Sequence, residues 1–283
     1  MLFRSHSKMV KAISYAKVKT DKVDAKTLAE LLRADLIPEA YQAKPDRRAL
    51  RELTRGRLRM IQRRGKLQST LWSAAAKYNI QISRDQWRYP DQLQQWLQPQ
   101  LPAEAHLQAG LLLEQIIQIQ GHIHHLEEAI EAQEAFTWEL ELLMPVPGIG
   151  LVNGWSILAE IGDISRFPSD KQFVSYCRLV PGSSDSGGKH RHKTGSKDGN
   201  KYLRLAFGQA AIGGYTHYKP VKKFYRKVKR RSGRQVARTV VAKELARIVW
   251  HVLSKQEPYK GFKGQLTKAA FHPYWPRPIN PRV

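Results

Sequence analysis

Cysteine, long apolar runs and acidic residues are all scarce in this chain. Its single cysteine, Cys177, excludes an intramolecular disulfide and a zinc cage built from several cysteines, and it suits a reducing compartment. No apolar run approaches the roughly 18 residues that span a bilayer, which argues against a membrane partner. The polar residues that follow Met1 argue against a signal peptide. The sequence therefore predicts a cytoplasmic protein.

The shortage of acids leaves the chain strongly basic. It has 48 Lys and Arg against 24 Asp and Glu, a net charge of +24. This imbalance is too large for an ordinary metabolic enzyme and points to nucleic acid as the partner. The charge is also uneven, since residues 103–143 hold eight Glu and no Lys or Arg, between two basic flanks.

Two helical segments concentrate the positive charge. Residues 44–66 carry ten Lys or Arg, and residues 219–238 carry ten more with Phe224 and Tyr225 among them. For the first segment a solvated face with long side chains is the alternative, but so many cations favour contact with phosphates. Cations with aromatics in the second suit a groove that follows a nucleic-acid backbone. The candidate contacts are Arg47, Arg48, Arg51, Arg55, Arg59, Arg63 and Arg64 in the first segment and Lys222, Lys223, Arg226, Arg230 and Arg231 in the second.

The acidic segment 103–143 has the spacing of a coiled coil. Its apolar positions recur at alternating intervals of four and three residues: Leu112, Ile116, Ile119, Ile123, Leu126 and Ile130. The spacing predicts self-association, with packing against the chain's own basic helix as the alternative.

Three histidines lie in the same segment, His122, His124 and His125. We interpret them as exposed positions rather than a metal site, because no further ligand is arranged with them.

A short turn separates two helical patterns at Val146-Pro147-Gly148-Ile149-Gly150. The pattern is similar to a helix-hairpin-helix, in which the amides of the turn, at Gly148 and Gly150, face a phosphate. A plain turn between helices is the alternative.

Residues 180–204 combine hydroxyls, glycines and cations. Ser186 precedes Gly187 and Gly188, which let a backbone approach a ligand closely. The cations that follow can neutralise phosphate: Lys189, Arg191, Lys193 and Lys197. A serine in this setting could attack phosphorus, while a flexible loop that contacts phosphate is the alternative. Ser183, Ser184 and Ser196 are the other candidate nucleophiles.

Three segments together resemble one family, the insertion-sequence transposases that join a RuvC-like, DEDD-type nuclease domain to a C-terminal domain with a catalytic serine. They are Lys17-Val18-Lys19-Thr20-Asp21-Lys22-Val23-Asp24-Ala25, the 146–150 turn, and residues 179–204 with Ser186-Gly187-Gly188, Gly199-Asn200 and Leu203-Arg204. Each motif is weak alone, but the series covers most of the chain in the expected order.

The resemblance implies specific roles. Asp21 and Asp24 match the last two of four acidic residues that bind a divalent metal, here Mg²⁺, and Ser186 matches the nucleophile that attacks a DNA phosphate. Without the resemblance, the two aspartates read as a helix cap and a favourable charge at a helix N-terminus. The family also implies a prokaryotic, nucleoid-associated protein with a structured guide RNA as a partner beside DNA.

The expected fold is mainly α, with a remnant of a RuvC-like (RNase H-like) α/β domain at the N-terminus. We divide the chain into that remnant (1–43), a basic helix and connection (44–102), a coiled coil (103–143), a serine-bearing transposase domain (144–256) and a Pro-rich tail (257–283). Asp21 is the first acidic residue, so the sequence predicts an N-terminal truncation. The alternative function is therefore an inactive relic that still binds nucleic acid.

Overall fold

The computed structural model describes residues 20–36, 41–133, 136–180, 182–186, 189–193 and 198–262, with the two strands given by their backbone. It is mainly helical, as predicted. The elements in chain order are α1 (Asp21–Arg33), α2 (Pro45–Ala76), α3 (Pro90–Leu97), α4 (Ala103–Glu131), α5 (Thr137–Leu143), α6 (Leu151–Ile161), α7 (Asp170–Tyr176), β1 (Gly182–Ser186), β2 (Lys189–Lys193), α8 (Lys201–His217) and α9 (Lys219–Lys255). In the described part of the chain, no helix is both long enough and apolar enough to cross a membrane.

The chain divides into two compact units, Met1–Lys44 and Pro45–Val283. In the first unit, Thr20 caps α1, because its hydroxyl oxygen accepts a hydrogen bond from the Val23 amide at 3.3 Å. The helix ends at Arg33, and Ala34 is its C-cap. The predicted RuvC-like remnant depends mostly on residues 1–19 and 37–40, which lie outside the described residues.

In the second unit, α2 and α4 lie side by side in opposite directions. Leu50, near the start of α2, shares a core with Ile130, and Leu71, near its end, shares a core with Leu113. The apolar seam of α4 is buried at Ile116 and Ile123. The structure thus shows the alternative named above, packing of the acidic helix against the chain's own basic helix. Self-association through residues 103–143 stays a prediction.

A larger core joins α5, α6, α7, α8 and α9. Its biggest buried side chains are Trp155, Phe173 and Phe207. The small residues of α8 permit close packing, because a Cβ on Gly214 would lie 3.4 Å from the Pro147 carbonyl oxygen. This approach brings α8 against the turn before α6.

A break at Gly233 divides α9. Its φ of 77° and ψ of 172° interrupt the helix in a region that is accessible almost only to glycine. The residues after the break pack inward through Val241, Leu245 and Val252. Of the predicted Pro-rich tail (257–283), the part after Phe262 lies outside the described residues.

Candidate nucleic-acid interface

The segment with Ser186 forms a two-stranded antiparallel hairpin rather than a structureless loop. Ser186 pairs with Lys189, Ser184 with Arg191 and Gly182 with Lys193. Directly opposed residues share a face, and alternate residues along a strand return to it. The register therefore places Ser186 and Ser184 on the same face as all three cations of β2.

The opposite face of the hairpin has a different chemistry. Ser183 pairs with His192, and Asp185 pairs with His190. The sequence did not reveal this separation, because a hairpin register depends on which residues form the turn. The two predicted positions Ser196 and Lys197 lie outside the described residues.

A backbone clasp closes the base of the hairpin. The Asn200 amide donates to the Tyr176 carbonyl oxygen at 2.6 Å, and Arg178 Nε donates to the Gly199 carbonyl oxygen at 2.9 Å. Gly199 has a φ of 105°, and a Cβ there would lie 2.4 Å from the Tyr176 oxygen. Only glycine fits this crossing, so the two ends of the hairpin segment are held together.

Asn200 connects this clasp to a buried carboxylate. Its Oδ1 accepts hydrogen bonds from the amides of Tyr202 and Leu203, which caps α8. Its Nδ2 donates to Glu160 Oε2 at 2.7 Å. The Glu160 side chain is only 3% exposed, at the end of α6. The hairpin base is therefore fixed to α6 through one polar network.

Arginines of α2 complete this network. Arg55 donates to both Glu160 oxygens, from Nε at 2.6 Å and Nη2 at 2.8 Å, and its guanidinium lies 4.3 Å from the centre of the Tyr202 ring. The hydrogen bond with Glu160 raises the pKa of Arg55. Arg51 donates to the carbonyl oxygens of Ala159 and Glu160, at 2.6 and 3.0 Å. Cations here also suit the negative end of the α6 dipole.

Arg47 is also directed inward. It is 6% exposed, donates to the Leu158 carbonyl oxygen at 3.1 Å, and pairs with Glu139. Its guanidinium carbon lies 3.4 Å from the centre of the Phe136 ring. Arg47, Arg51 and Arg55, all predicted as nucleic-acid contacts, thus hold α2 against α5 and α6.

The other predicted arginines of α2 differ among themselves. Arg48, Arg59 and Arg63 are exposed, and Arg59 lies 4.0 Å from Glu52 in an exposed pair. Arg64 donates to Gln120 of α4. Arg57, which the charge pattern did not single out, donates to Glu127 of α4 at 2.7 Å. Hence the exposed face of α2 retains fewer cations than its sequence suggests.

The basic part of α9 has a different environment. All five predicted contacts are exposed: Lys222, Lys223, Arg226, Arg230 and Arg231. Residues 229–236, which surround the break at Gly233, are exposed without interruption. The neighbouring helix α8 contains no acidic residue. This surface therefore keeps its charge available.

The 146–150 turn packs into the protein at Gly148. Its φ is 81°, and a Cβ there would lie 2.0 Å from the Ala210 carbonyl oxygen of α8. Gly148 is thus required by helix packing, as the plain-turn alternative expects. Gly150 is exposed and precedes the first residue of α6. Phosphate binding at Gly150 stays a prediction.

The two aspartates of α1 supply only part of a metal site. Asp21 and Asp24 lie in its first turn, three residues apart and thus on one face. Asp24 Oδ1 is buried and has no hydrogen-bond partner among the described residues, which suits a cation ligand. Carboxylate oxygens fit the chemistry of Mg²⁺ but two carboxylates do not complete its octahedron. Within the described ranges, no three His, Cys, Asp or Glu residues gather as potential metal ligands.

Cys177 is an unsuitable nucleophile. It is fully buried after α7, and burial raises its pKa well above the ordinary value. The thiol therefore stays protonated at neutral pH.

Comparisons with known proteins agree with one another. Residues 140–226 match the model of the Transposase IS116/IS110/IS902 family. The chain is 24% identical over 249 residues to the transposase for insertion sequence element IS1111A of Coxiella burnetii, across 86% of this chain and 68% of that protein. It is 25% identical over 254 residues to a probable family 20 transposase of Pseudomonas aeruginosa, across 86% and 75% respectively. It is 24% identical over 264 residues to the transposase for IS1328 of Yersinia enterocolitica, across 84% and 72%.

The family match covers the elements that build the hairpin and its support. Residues 140–226 run from α5 through the Gly148 turn, Glu160, the hairpin and α8 into the basic part of α9. The resemblance predicted from three short motifs is thus supported at the level of the family: through residues 140–226, this chain is similar to the Transposase IS116/IS110/IS902 family.

Proposed function

We propose that this chain is an insertion-sequence transposase that binds DNA and exchanges strands through a covalent link to Ser186. The observation that carries the proposal is the hairpin register, which puts Ser186 on one face with Lys189, Arg191 and Lys193. The family match over the same segment supports it.

The chemistry requires only phosphodiester exchange. The Ser186 hydroxyl oxygen attacks phosphorus and forms a new O–P bond, while the bond from phosphorus to one DNA ester oxygen breaks. The serine proton passes to a base, and the departing DNA hydroxyl takes up a proton. Because one phosphodiester replaces another, a different DNA hydroxyl can reverse the step and join a new strand.

The cations of β2 stabilise this exchange. Negative charge develops on the phosphate oxygens as the serine attacks, and cations at positions on the same face of the hairpin would oppose that charge. Asp21 and Asp24 of α1 would hold a divalent metal ion, which supplies Lewis-acid chemistry when bound. The clasp at Gly199 and the Asn200–Glu160 contact keep the hairpin base in a fixed position during the exchange.

Formation of a covalent protein–DNA adduct tests this function. The full chain would be expressed together with the DNA ends of its element and incubated with labelled DNA that carries those ends, then resolved on a denaturing gel. We expect an adduct from the wild type and from Ser183→Ala, and none from Ser186→Ala. Ser184→Ala is the most closely matched control, because it removes a serine hydroxyl from the same face of the hairpin. A normal adduct from Ser186→Ala would contradict the assignment.

The alternative, a relic that only binds nucleic acid, makes a different prediction. It requires steep salt dependence of DNA binding without any adduct from the wild type, since counterion release needs only Lys and Arg.

We propose a structured guide RNA as a second nucleic-acid partner. The strongly basic surface of α9 supports such a partner, because two polyanions need more cationic surface than one. Sequencing of RNA that copurifies with the full chain tests this, and enrichment of one transcript from the element is the expected result. An unenriched mixture of cellular RNA would contradict it.

We also propose self-association through residues 103–143. With the seam of α4 covered by α2, the contact between copies would use the outer face of α4, where Leu107 and Leu111 are 73% and 50% exposed. Sedimentation should show a dimer or larger assembly that Leu107→Lys weakens. A monomer at all concentrations would contradict this proposal.

A further inference from the structure

An open groove of about 350 Å³ lies between α8 and α9. The cations Lys201 and Arg204 line it from α8, and Arg238 lines it from α9. Polar side chains of Gln235 and Thr239 complete the α9 wall. We infer that this groove binds the phosphodiester backbone of a DNA strand. The inference rests on the proposed function, because that function selects DNA among the polyanions.

The first argument is uncompensated charge. Among the residues that the structure describes, no acidic side chain lines the groove. Among the described residues, Lys201 lies 5.1 Å from the centre of the Tyr202 ring, and Arg238 Nε donates to the Gly208 carbonyl oxygen at 3.3 Å. Neither has a carboxylate partner there, and Arg204 is exposed. Three cations around one groove repel one another unless an anion lies between them.

The second argument is the glycine on the floor of the groove. A Cβ on Gly208 would lie 3.2 Å from Nη2 of Arg238. The missing side chain therefore lets the guanidinium lie across α8, toward the cations on the other wall. Arginine in this position can offer two parallel N–H donors to one phosphate.

The third argument is the location of the groove. Leu179, three residues before β1, lines it, and Lys201 directly follows the Asn200 clasp. Beyond Gln235 the exposed cations Arg234 and Arg231 continue around the break at Gly233. A strand in the groove would thus run from the exposed corner of α9 to the base of the serine hairpin.

Binding of the full chain to labelled nucleic acids tests the inference. Fluorescence anisotropy would compare a 30-nucleotide single strand, its duplex and an RNA of the same sequence. The variant combines Arg204→Gln with Arg238→Gln. The control combines Arg84→Gln with Arg88→Gln, two exposed arginines next to the other hydrophobic core, so that net charge changes equally.

We expect the groove variant to bind DNA about 100-fold more weakly than the control, since a hydrogen bond to a charged group accounts for about a tenfold change in affinity. The slope of log affinity against log salt should fall by about 0.7 to 0.9 for each phosphate that the variant no longer neutralises. Arg204→Gln alone should weaken binding about tenfold. This single variant keeps the hydrogen bond from Arg238 to Gly208, so it tests the groove even if the double variant folds poorly.

Equal DNA affinity and salt slope in the groove variant and the control would overturn the inference. A weakening confined to RNA would also overturn it. The outcome is separable from that of the proposed function: a Ser186→Ala adduct would refute the nucleophile and leave a DNA-binding groove standing, whereas normal DNA binding by the groove variant would refute the groove alone.

Discussion

Two basic segments of this chain have the same number of cations and opposite surroundings. Residues 44–66 and residues 219–238 each carry ten Lys or Arg. In the first, the side chains of Arg47, Arg51 and Arg55 are 7%, 15% and 29% exposed and bind groups at the end of α6 or in α5. In the second, every cation except Arg238 is exposed, and the neighbouring helix α8 has no acids. The available partners, rather than the charge count, decide whether a basic helix supports the fold or a ligand.

Glu160 is the residue whose replacement should most disturb the first segment. Glu160→Gln removes the buried anion that Arg55 and Arg51 surround and leaves these partly buried cations without their counter-charge. We expect unfolding free energy to fall by about 3 to 5 kcal/mol in urea titrations. The exposed control Glu52→Gln should change it by at most about 0.5 kcal/mol. Similar values for both variants would remove the distinction between the two segments.

Removal of charge from the second segment should weaken DNA binding without unfolding the protein. Replacement of Lys222, Lys223, Arg226 and Arg230 with Gln should lower affinity by about 100- to 1,000-fold and the salt slope by about 3, if each cation contacts a phosphate. Anisotropy titrations at several salt concentrations measure both quantities. Melting temperature should stay constant.

The comparison variant in the first segment changes its three exposed predicted contacts, Arg48, Arg59 and Arg63, to Gln, one cation fewer than in α9. We expect affinity to fall about tenfold or less, because their inward-facing neighbours offer no further phosphate contacts. A larger effect from this variant than from the α9 variant would reverse the comparison.

Glycines distinguish the same two helices. Gly233 of α9 has a φ of 77°, whereas Gly65 of α2 lies within an unbroken helix with open space around it. Gly233→Ala should destabilise the protein by about 2 kcal/mol, because the observed dihedrals are strained for any side chain. Gly65→Ala should stabilise it by about 0.5 to 1 kcal/mol. Urea unfolding measures both changes in the free energy of unfolding. If the two changes had the same sign, the break at Gly233 would be contradicted.

The smallest effect concerns Arg247, a cation of α9 that does have an acidic partner. Its Nε donates to Asp170 Oδ2 at 2.6 Å, and this hydrogen bond lowers the pKa of Asp170. Stability from the pair is present above the unfolded pKa of Asp170 and is lost as pH falls through its lower folded value. Asp170→Asn should therefore cost about 0.5 kcal/mol at pH 7, and this cost should shrink as the pH falls through the folded pKa of Asp170. A deficit that persists in acid would refute an ionic origin.

The sequence predicted the helical content because it depends on local residue patterns. Periodic apolar residues carry that information directly. The sequence also drew attention to the Ser186 segment, where serines, glycines and cations occur together.

The inward role of Arg47, Arg51 and Arg55 could not be predicted from the sequence. Their partners lie about a hundred positions away, as in the Arg55–Glu160 contact at a separation of 105 residues. A hint was present in Glu160 itself, the one charged residue of α6, because a buried charge requires a counter-charge. The hairpin register and the α8–α9 groove likewise depend on tertiary structure.

The most direct test of the central claim is to locate the nucleotide on the protein. An adduct trapped by denaturation would be digested with protease and nuclease, and tandem mass spectrometry would map the remaining nucleotide mass within residues 179–189, which include Ser183, Ser184 and Ser186. We expect the mass on Ser186. A nucleotide on Ser183, on Ser184 or elsewhere in the chain would contradict the claim that Ser186 attacks the phosphate.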